Sequence, residues 1–202
     1  MNEEATMVYV VDDDAAVRDA LDALLGSVGL PARTFASAED FLRIADAWMR
    51  GCLLLDVRMP GMGGMELQSK LQERGVLLPV IFITGHGDVP MAVRALKAGA
   101  ADFIEKPFNE QQLLDRIQLC LDEDLKAFQA RQAREAAQAG FSQLTARETA
   151  VMELIAVGGH SKSIASELDI KERTVDVHRF NIMRKVGVRT LADLLHRWFL
   201  AH

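Results

Sequence analysis

The stretch VIFITGHGDVPMAVRALKAGAADFIEKPF, residues 80–108, decides the fold. It opens with VIFIT (80–84), a run of β-branched and large apolar residues short enough for a strand buried on both faces. Met91, Val93, Ala95 and Leu96 follow at loose helical spacing, and DFIE (102–105) reads as the next strand. Strand, helix and strand in so short a space form the crossover that parallel strands require. Outward from it, MVYVV (7–11), ARTF (32–35) and CLLLD (52–56) read as further strands, and Val17, Leu21, Leu24 and Leu25 mark a helix after the first. The expected fold is α/β, a doubly wound five-stranded parallel sheet covered on both faces.

Ligands of such sheets bind outside the carboxyl ends of the strands. Asp12, Asp13 and Asp14 follow the first strand, Asp56 ends the third, Thr84 ends the fourth, and Lys106 follows the fifth. Side-by-side strand ends therefore gather residues scattered along the chain. Carboxylates packed together repel one another, and a hard cation such as Mg²⁺ relieves this through oxygen ligands. With one hydroxyl and one ammonium added, the cluster can organise a phosphoryl group. Asp14 reads as the cap of a helix beginning near Ala15. His86 reads as a solvated loop residue, and the glycines of MPGMGG and TGHGD as formers of tight turns.

From Glu110 to about Ala139 no strand pattern recurs. Leu113, Leu114, Ile117, Leu121, Leu125 and Phe128 give a helical stripe that continues into KAFQARQAREAAQAG, where Asp122–Lys126 and Arg131–Glu135 are spaced for helical ion pairs. Gly140 is the expected stop. The chain thus divides into a domain over 1–121, a helical linker over 122–142 and a second domain over 143–202. The second domain shows helical patterns only. Thr145 with Glu148 forms a capping box opening a helix through Val157, and Gly158-Gly159 ends it. Ser161 is expected to cap a short helix through Leu168. Another helix begins at Lys171–Thr174 and runs to about Val186, and a last one covers about 190–200. Ile164, Ala165, Leu168, Ile170 and Val175 can fix two of these helices at one angle, the core of an all-α four-helix, helix-turn-helix domain.

The net charge of −6 is unevenly distributed: residues 1–120 carry 11 basic against 18 acidic residues, and residues 141–202 carry 9 against 7. An acidic first domain precedes a mildly basic second one. No apolar stretch approaches the roughly 20 residues that span a bilayer, and MNEEATMVYV lacks a basic signal-peptide start. Cys52 and Cys120 read as reduced core residues, so a cytoplasmic protein without membrane contact is expected.

The acidic run after the first strand, LLLDVRMPGMGG around Asp56, FITGHGDV around Thr84 and FIEKPF around Lys106 resemble the flavodoxin-like receiver domains of two-component response regulators, over roughly residues 5–120. The resemblance implies that Asp56 is the phosphoacceptor, charged by a sensor histidine kinase. Asp12, Asp13, Asp56 and the Arg58 carbonyl would hold Mg²⁺, Thr84 and Lys106 would contact the phosphoryl oxygens, and Phe103 would be the switch aromatic. Core packing is the other reading of Phe103. A cis Lys106–Pro107 bond is expected, as in related receivers.

The second domain is similar to the LuxR/NarL helix-turn-helix effectors through Leu144-Thr145, Arg147-Glu148, Ile164-Ala165, Thr174-Val175, Asn181-Ile182 and Gly187-Val188. The whole looks most like FixJ-type regulators. The resemblance implies promoter DNA as partner, with contacts at Thr174, Asp176, Val177, Arg179 and Phe180, and with Lys162 and Lys185 toward the backbone. Ser161 stands where the family usually has asparagine, and Asp176 where lysine is common. Asp176 either selects sequence by accepting from a cytosine amine or points away. The resemblance further implies transcription regulation, a homodimer on phosphorylation and contact with RNA polymerase, and no enzyme turnover. Two other classes compete. Dehalogenase-like phosphatases also use an aspartyl-phosphate, but their DxD nucleophile is followed by a threonine that DDDAA (12–16) lacks. A four-helix protein-interaction module would account for the second domain without DNA.

Overall fold

A computed structural model of the chain describes residues 6–85 and 89–202. His86, with the glycine and aspartate after it, lies outside the described residues. The first elements alternate strictly: β1 (Met7–Val11), α1 (Ala15–Ser27), β2 (Ala32–Phe35), α2 (Ala38–Ile44), β3 (Gly51–Asp56), α3 (Gly64–Glu73), β4 (Val80–Thr84), α4 (Val89–Lys97) and β5 (Asp102–Glu105). Every strand pairing is parallel, in the order β2-β1-β3-β4-β5. The direction of winding reverses beside β1 and β3, so their carboxyl ends border the crevice.

The apolar runs of the central strands follow from burial on two faces. Val8, Val10, Leu54, Ile81 and Ile83 pack with Leu21 and Leu25 of α1 and with Leu113 and Ile117. Their sequence neighbours Val11, Leu53, Leu55 and Phe82 point the other way, against Phe41, Leu67, Leu71 and Ala95 of α2, α3 and α4. The period of two sends alternate residues to opposite layers. Asp14 caps α1 as expected, its carboxylate accepting from the Ala16 N–H at 2.8 Å.

α5 (Glu110–Phe141) is one 32-residue helix. The compact units divide after Phe128. The Arg50 Nε donates to Asp124 Oδ2 at 2.7 Å, both side chains are buried, and the guanidinium lies 4.0 Å from the centre of the Phe128 ring. These contacts hold α5 to the first unit beyond residue 121. At its other end, Ala137 and Phe141 belong to the core of the second unit. The helix passes the expected stop at Gly140, because Phe141 is buried with its ring edge-on to Trp198 at 5.0 Å.

The second unit adds α6 (Ala146–Ala156), α7 (Ser161–Glu167), α8 (Glu172–Val186) and α9 (Leu191–Ala201). The capping box at α6 is present, with the Glu148 N–H donating to Thr145 Oγ1 and the Thr145 N–H to Glu148 Oε2. Ser161 does not cap α7. It is the first helical residue, His160 takes the cap position, and the His160 N–H donates to Ser163 Oγ at 3.0 Å. Val175, Ile182 and Val186 turn one face of α8 into a core shared with Val151, Met152, Ile155 and Ile164. Among the described residues no helix is long and apolar enough to cross a membrane.

Candidate functional site

Asp12 follows β1 and Asp56 ends β3, and the pairing of those strands sets them side by side. Both carboxylates are buried. Lys106, one residue beyond β5, reaches across: its Nζ lies 2.6 Å from Asp12 Oδ2 and 3.2 Å from Asp56 Oδ1. The remaining carboxylate oxygens take backbone donors, Asp12 Oδ1 from the Asp14 N–H at 2.9 Å and Asp56 Oδ2 from the Arg58 N–H at 2.7 Å. Thr84 ends β4, almost wholly buried, and its carbonyl accepts from the Lys106 N–H at 2.8 Å. The Lys106–Pro107 bond is cis.

Burial raises the Asp56 carboxyl above its ordinary range; the Lys106 ammonium and the Arg58 N–H pull it down without cancelling the rise, and Asp12 adds to it. Burial disfavours the Lys106 ammonium, yet Asp12 and Asp56 outweigh this and leave its pKa raised. Two buried carboxylates share one cation, so the crevice keeps a net negative charge in a low-dielectric setting. That donor chemistry suits a hard cation with oxygen ligands. Asp13 is exposed, and among the described residues no three His, Cys, Asp or Glu side chains are grouped as a cation site. Asp12 and Asp56 are thus brought together, and Asp13 is not gathered with them.

Two residues shape the loop after Asp56: Gly64, which the sequence pattern marks as a turn glycine, and Glu39, which it does not single out. Gly64 opens α3 against the strand end, where a Cβ would stand 2.2 Å from the Asp56 carbonyl oxygen. Close approach, not a turn, requires that glycine. Glu39 of α2 accepts from the Met62 N–H at 3.0 Å. Phe103 is half-buried on β5, 6.4 Å from the ring of Phe82.

In the second unit, Thr174, Asp176, Val177 and Phe180 are exposed on α8, and Lys162 is exposed on α7. Val177 and Phe180 are uncommonly bare for apolar residues, at 53% and 67% exposure. Lys185, expected toward the DNA backbone, is half-buried and engaged within the protein. Its Nζ donates to Glu148 Oε2 at 2.6 Å and to the Gln143 carbonyl at 3.2 Å. Burial works to raise the Glu148 carboxyl, but hydrogen bonds from Lys185 and from the Thr145 N–H and hydroxyl overcome this and hold its pKa at about 2.

Residues 8–118 match the response regulator receiver domain, and residues 142–198 match the bacterial regulatory proteins of the luxR family. The chain is a response regulator. It is 46% identical to the response regulator protein TmoT of Ectopseudomonas mendocina over 96% of this chain and 89% of that one. It is also 41% identical to the transcriptional regulatory protein FixJ of Azorhizobium caulinodans, over 98% and 94%. Among solved structures, the response regulator StyR is similar with a TM-score of 0.88 and 48% identity, covering 96% of this chain and 98% of that one. Full-length FixJ from B. japonicum is similar at 0.57 and 38%, over 97% of each. The regulator therefore joins a flavodoxin-like receiver to a LuxR-type DNA-binding domain, the composition of a two-component transcription regulator.

Proposed function

We propose that this regulator accepts a phosphoryl group on Asp56 from a sensor histidine kinase in the cytoplasm and, so modified, binds promoter DNA as a homodimer. The observation that carries the reading is the Lys106 ammonium held between Asp12 and Asp56. An ammonium shared by two carboxylates is placed to offset the charge that a phosphoryl group brings to one of them. Mg²⁺ would be held by Asp12, Asp56 and the Arg58 carbonyl together with Asp13, which is exposed next to Asp12 in the chain, and would supply positive charge to offset that of the transferred group. The chain's own residues do the rest. Asp56 presents its carboxylate at the strand end, the Arg58 N–H orients one oxygen, and Lys106 and Thr84 receive the new oxygens. Phe103 then follows Thr84 and alters the surface of α4, β5 and α5, where Val93 and Leu96 are exposed.

Charge supports the dimer. A mildly basic reader tied to an acidic receiver engages phosphates weakly alone, and pairing raises the effective concentration of the second reader. On the reader, Lys162, Thr174, Asp176, Val177, Arg179 and Phe180 form the DNA face, while Lys185 serves as a strut. RNA polymerase is the third partner in this reading.

The test is incubation with Mg²⁺ and a small phosphodonor, followed by intact-mass measurement, sedimentation and DNA titration. One phosphoryl adduct is expected, absent from Asp56→Asn, with dimerisation and DNA affinity rising together. An adduct on Asp56→Asn would overturn the acceptor assignment. Tighter DNA binding by a phosphorylated monomer would overturn the dimer mechanism.

A further inference from the structure

A polar relay joins the start of α7 to the exposed face of α8. The Ser161 hydroxyl, at the start of α7, donates to Asp176 Oδ1 on α8 at 2.9 Å. The same hydroxyl oxygen lies 3.5 Å from Nη1 of Arg179, one turn further along α8. A hydroxyl has one hydrogen to give and lone pairs to receive with, so serine can link an anion to a cation through a single atom. Asp176 remains exposed, and its Oδ2 has no hydrogen bond among the described residues. Val177 and Phe180 stand bare beside it on the same helix.

We propose that Ser161 is a specificity-positioning residue: it fixes the Asp176 carboxylate as a hydrogen-bond acceptor, so that the reader selects cytosine opposite Asp176 and thymine beside it. This assignment rests on the DNA-binding reading above. A carboxylate accepts and cannot donate. In the major groove cytosine offers its 4-amino donor with no acceptor on its own edge. Adenine offers a donor next to its N7 acceptor, and guanine and thymine present acceptors, all of which repel a carboxylate. Thymine alone adds a methyl group, which suits Val177 and Phe180. A free aspartate near DNA would be driven off by the phosphates. The Ser161 hydrogen bond limits its rotamers, and the neighbouring Arg179 charge offsets the repulsion. Specificity then comes from a tethered acceptor where a basic residue would read guanine.

Selection from a randomised duplex library with the full-length phosphorylated protein tests this, with urea unfolding of each variant alongside. Wild type is expected to enrich a cytosine at one fixed position of each half-site. Asp176→Asn should shift that position toward adenine by about tenfold, since one good base contact is worth roughly 1–3 kcal/mol of discrimination. Ser161→Ala should relax the cytosine preference several-fold, and Ser161→Thr, which keeps the hydroxyl, should retain it. All three should unfold at the wild-type urea concentration. Enrichment of the same bases by wild type and Asp176→Asn overturns the proposal, as does a wild-type preference in Ser161→Ala. If wild type enriches no sequence at all, the DNA-binding reading falls and takes this assignment with it.

Discussion

Replacing Lys185 distinguishes a strut from a phosphate contact. Glu148 is almost wholly buried, with Lys185 Nζ at 2.6 Å and the Thr145 N–H and hydroxyl on the same oxygen. Its carboxyl pKa falls from the ordinary 4.5 to about 2 on folding, burial notwithstanding. At about 1.4 kcal/mol for each pH unit, the deprotonated form gains about 3 kcal/mol from the folded site. Because the folded value is depressed, that stability is fully present above pH 4.5 and is lost as pH falls through about 2. Lys185→Ala removes one of three donors and leaves the others. Lys185 is about a quarter exposed, which screens its share, so a loss of about 2 kcal/mol is expected, below the roughly 3–5 kcal/mol for breaking a fully buried pair. Trp198 reports on this unit through its contact with Phe141. A Trp48→Phe background makes it the sole indole, and its fluorescence can follow urea unfolding. The midpoint should fall in Lys185→Ala, while Lys185→Met with Glu148→Gln should lose less than the two single losses combined. A neutral unfolding midpoint with a salt slope of DNA binding reduced by about one would refute the strut and restore the phosphate contact.

Arg50→Ala should destabilise the first unit by about 3–5 kcal/mol, because it strands Asp124 in a buried site; Arg50→Met with Asp124→Leu should regain much of this, and hydrogen exchange of β3 amides measures both. An Arg50→Ala protein within 1 kcal/mol of wild type would show the pair to be idle. Gly64→Ala should slow phosphorylation at least about tenfold, since its Cβ meets the Asp56 backbone and moves the acceptor off its geometry. Gly26→Ala is the control: nothing lies within 4 Å of the added carbon, so labelling with phosphodonor should proceed at the wild-type rate.

Local signals carried most of the architecture. The five strands, the Asp14 cap and the Thr145–Glu148 box each depend on residues within a few positions of one another, and periodicity or capping chemistry exposes them directly. Strand-end convergence needed only the parallel fold, which is why Asp12, Asp56 and Lys106 were legible together. α2 and α3 were harder. α2 is 7 residues long, announced by Ser37 accepting from the Asp40 N–H, and α3 starts at a glycine without a side-chain cap. Pairings distant in sequence left no trace. Arg50 and Asp124 are 74 residues apart, and so the first unit holds α5 past the expected boundary at 121. Ser161 has the right chemistry for a cap, but tertiary competition from Asp176, 15 residues on, takes its hydroxyl. Lys185 looked available on a basic helix because Glu148, 37 residues earlier, already had a complete local role in the capping box.

The two lysine–carboxylate sites of this chain show how the same pair of groups serves opposite ends. Lys106 lies 2.6 Å from buried Asp12 and 3.2 Å from buried Asp56, Lys185 lies 2.6 Å from buried Glu148, and the exposures of the two lysines are close, 21% and 27%. Lysine burial therefore does not separate them. The sign of the carboxylate shift does. Asp56 is raised, because burial and Asp12 together outweigh what Lys106 and one N–H supply. Glu148 is lowered to about 2, because an ammonium, an N–H and a hydroxyl on one oxygen more than offset its burial. An under-compensated carboxylate gains from any further positive charge, whereas an over-compensated one gains little and loses much if its partner leaves. Lys106 divides itself between Asp12 and Asp56, so it can follow an incoming anion without stranding a single dependent partner. Lys185 has no such latitude, since Glu148 caps α6 and Lys185 closes α8 against it. The receiver thus leaves its charge unbalanced at the strand ends, and the reader balances its own between α6 and α8.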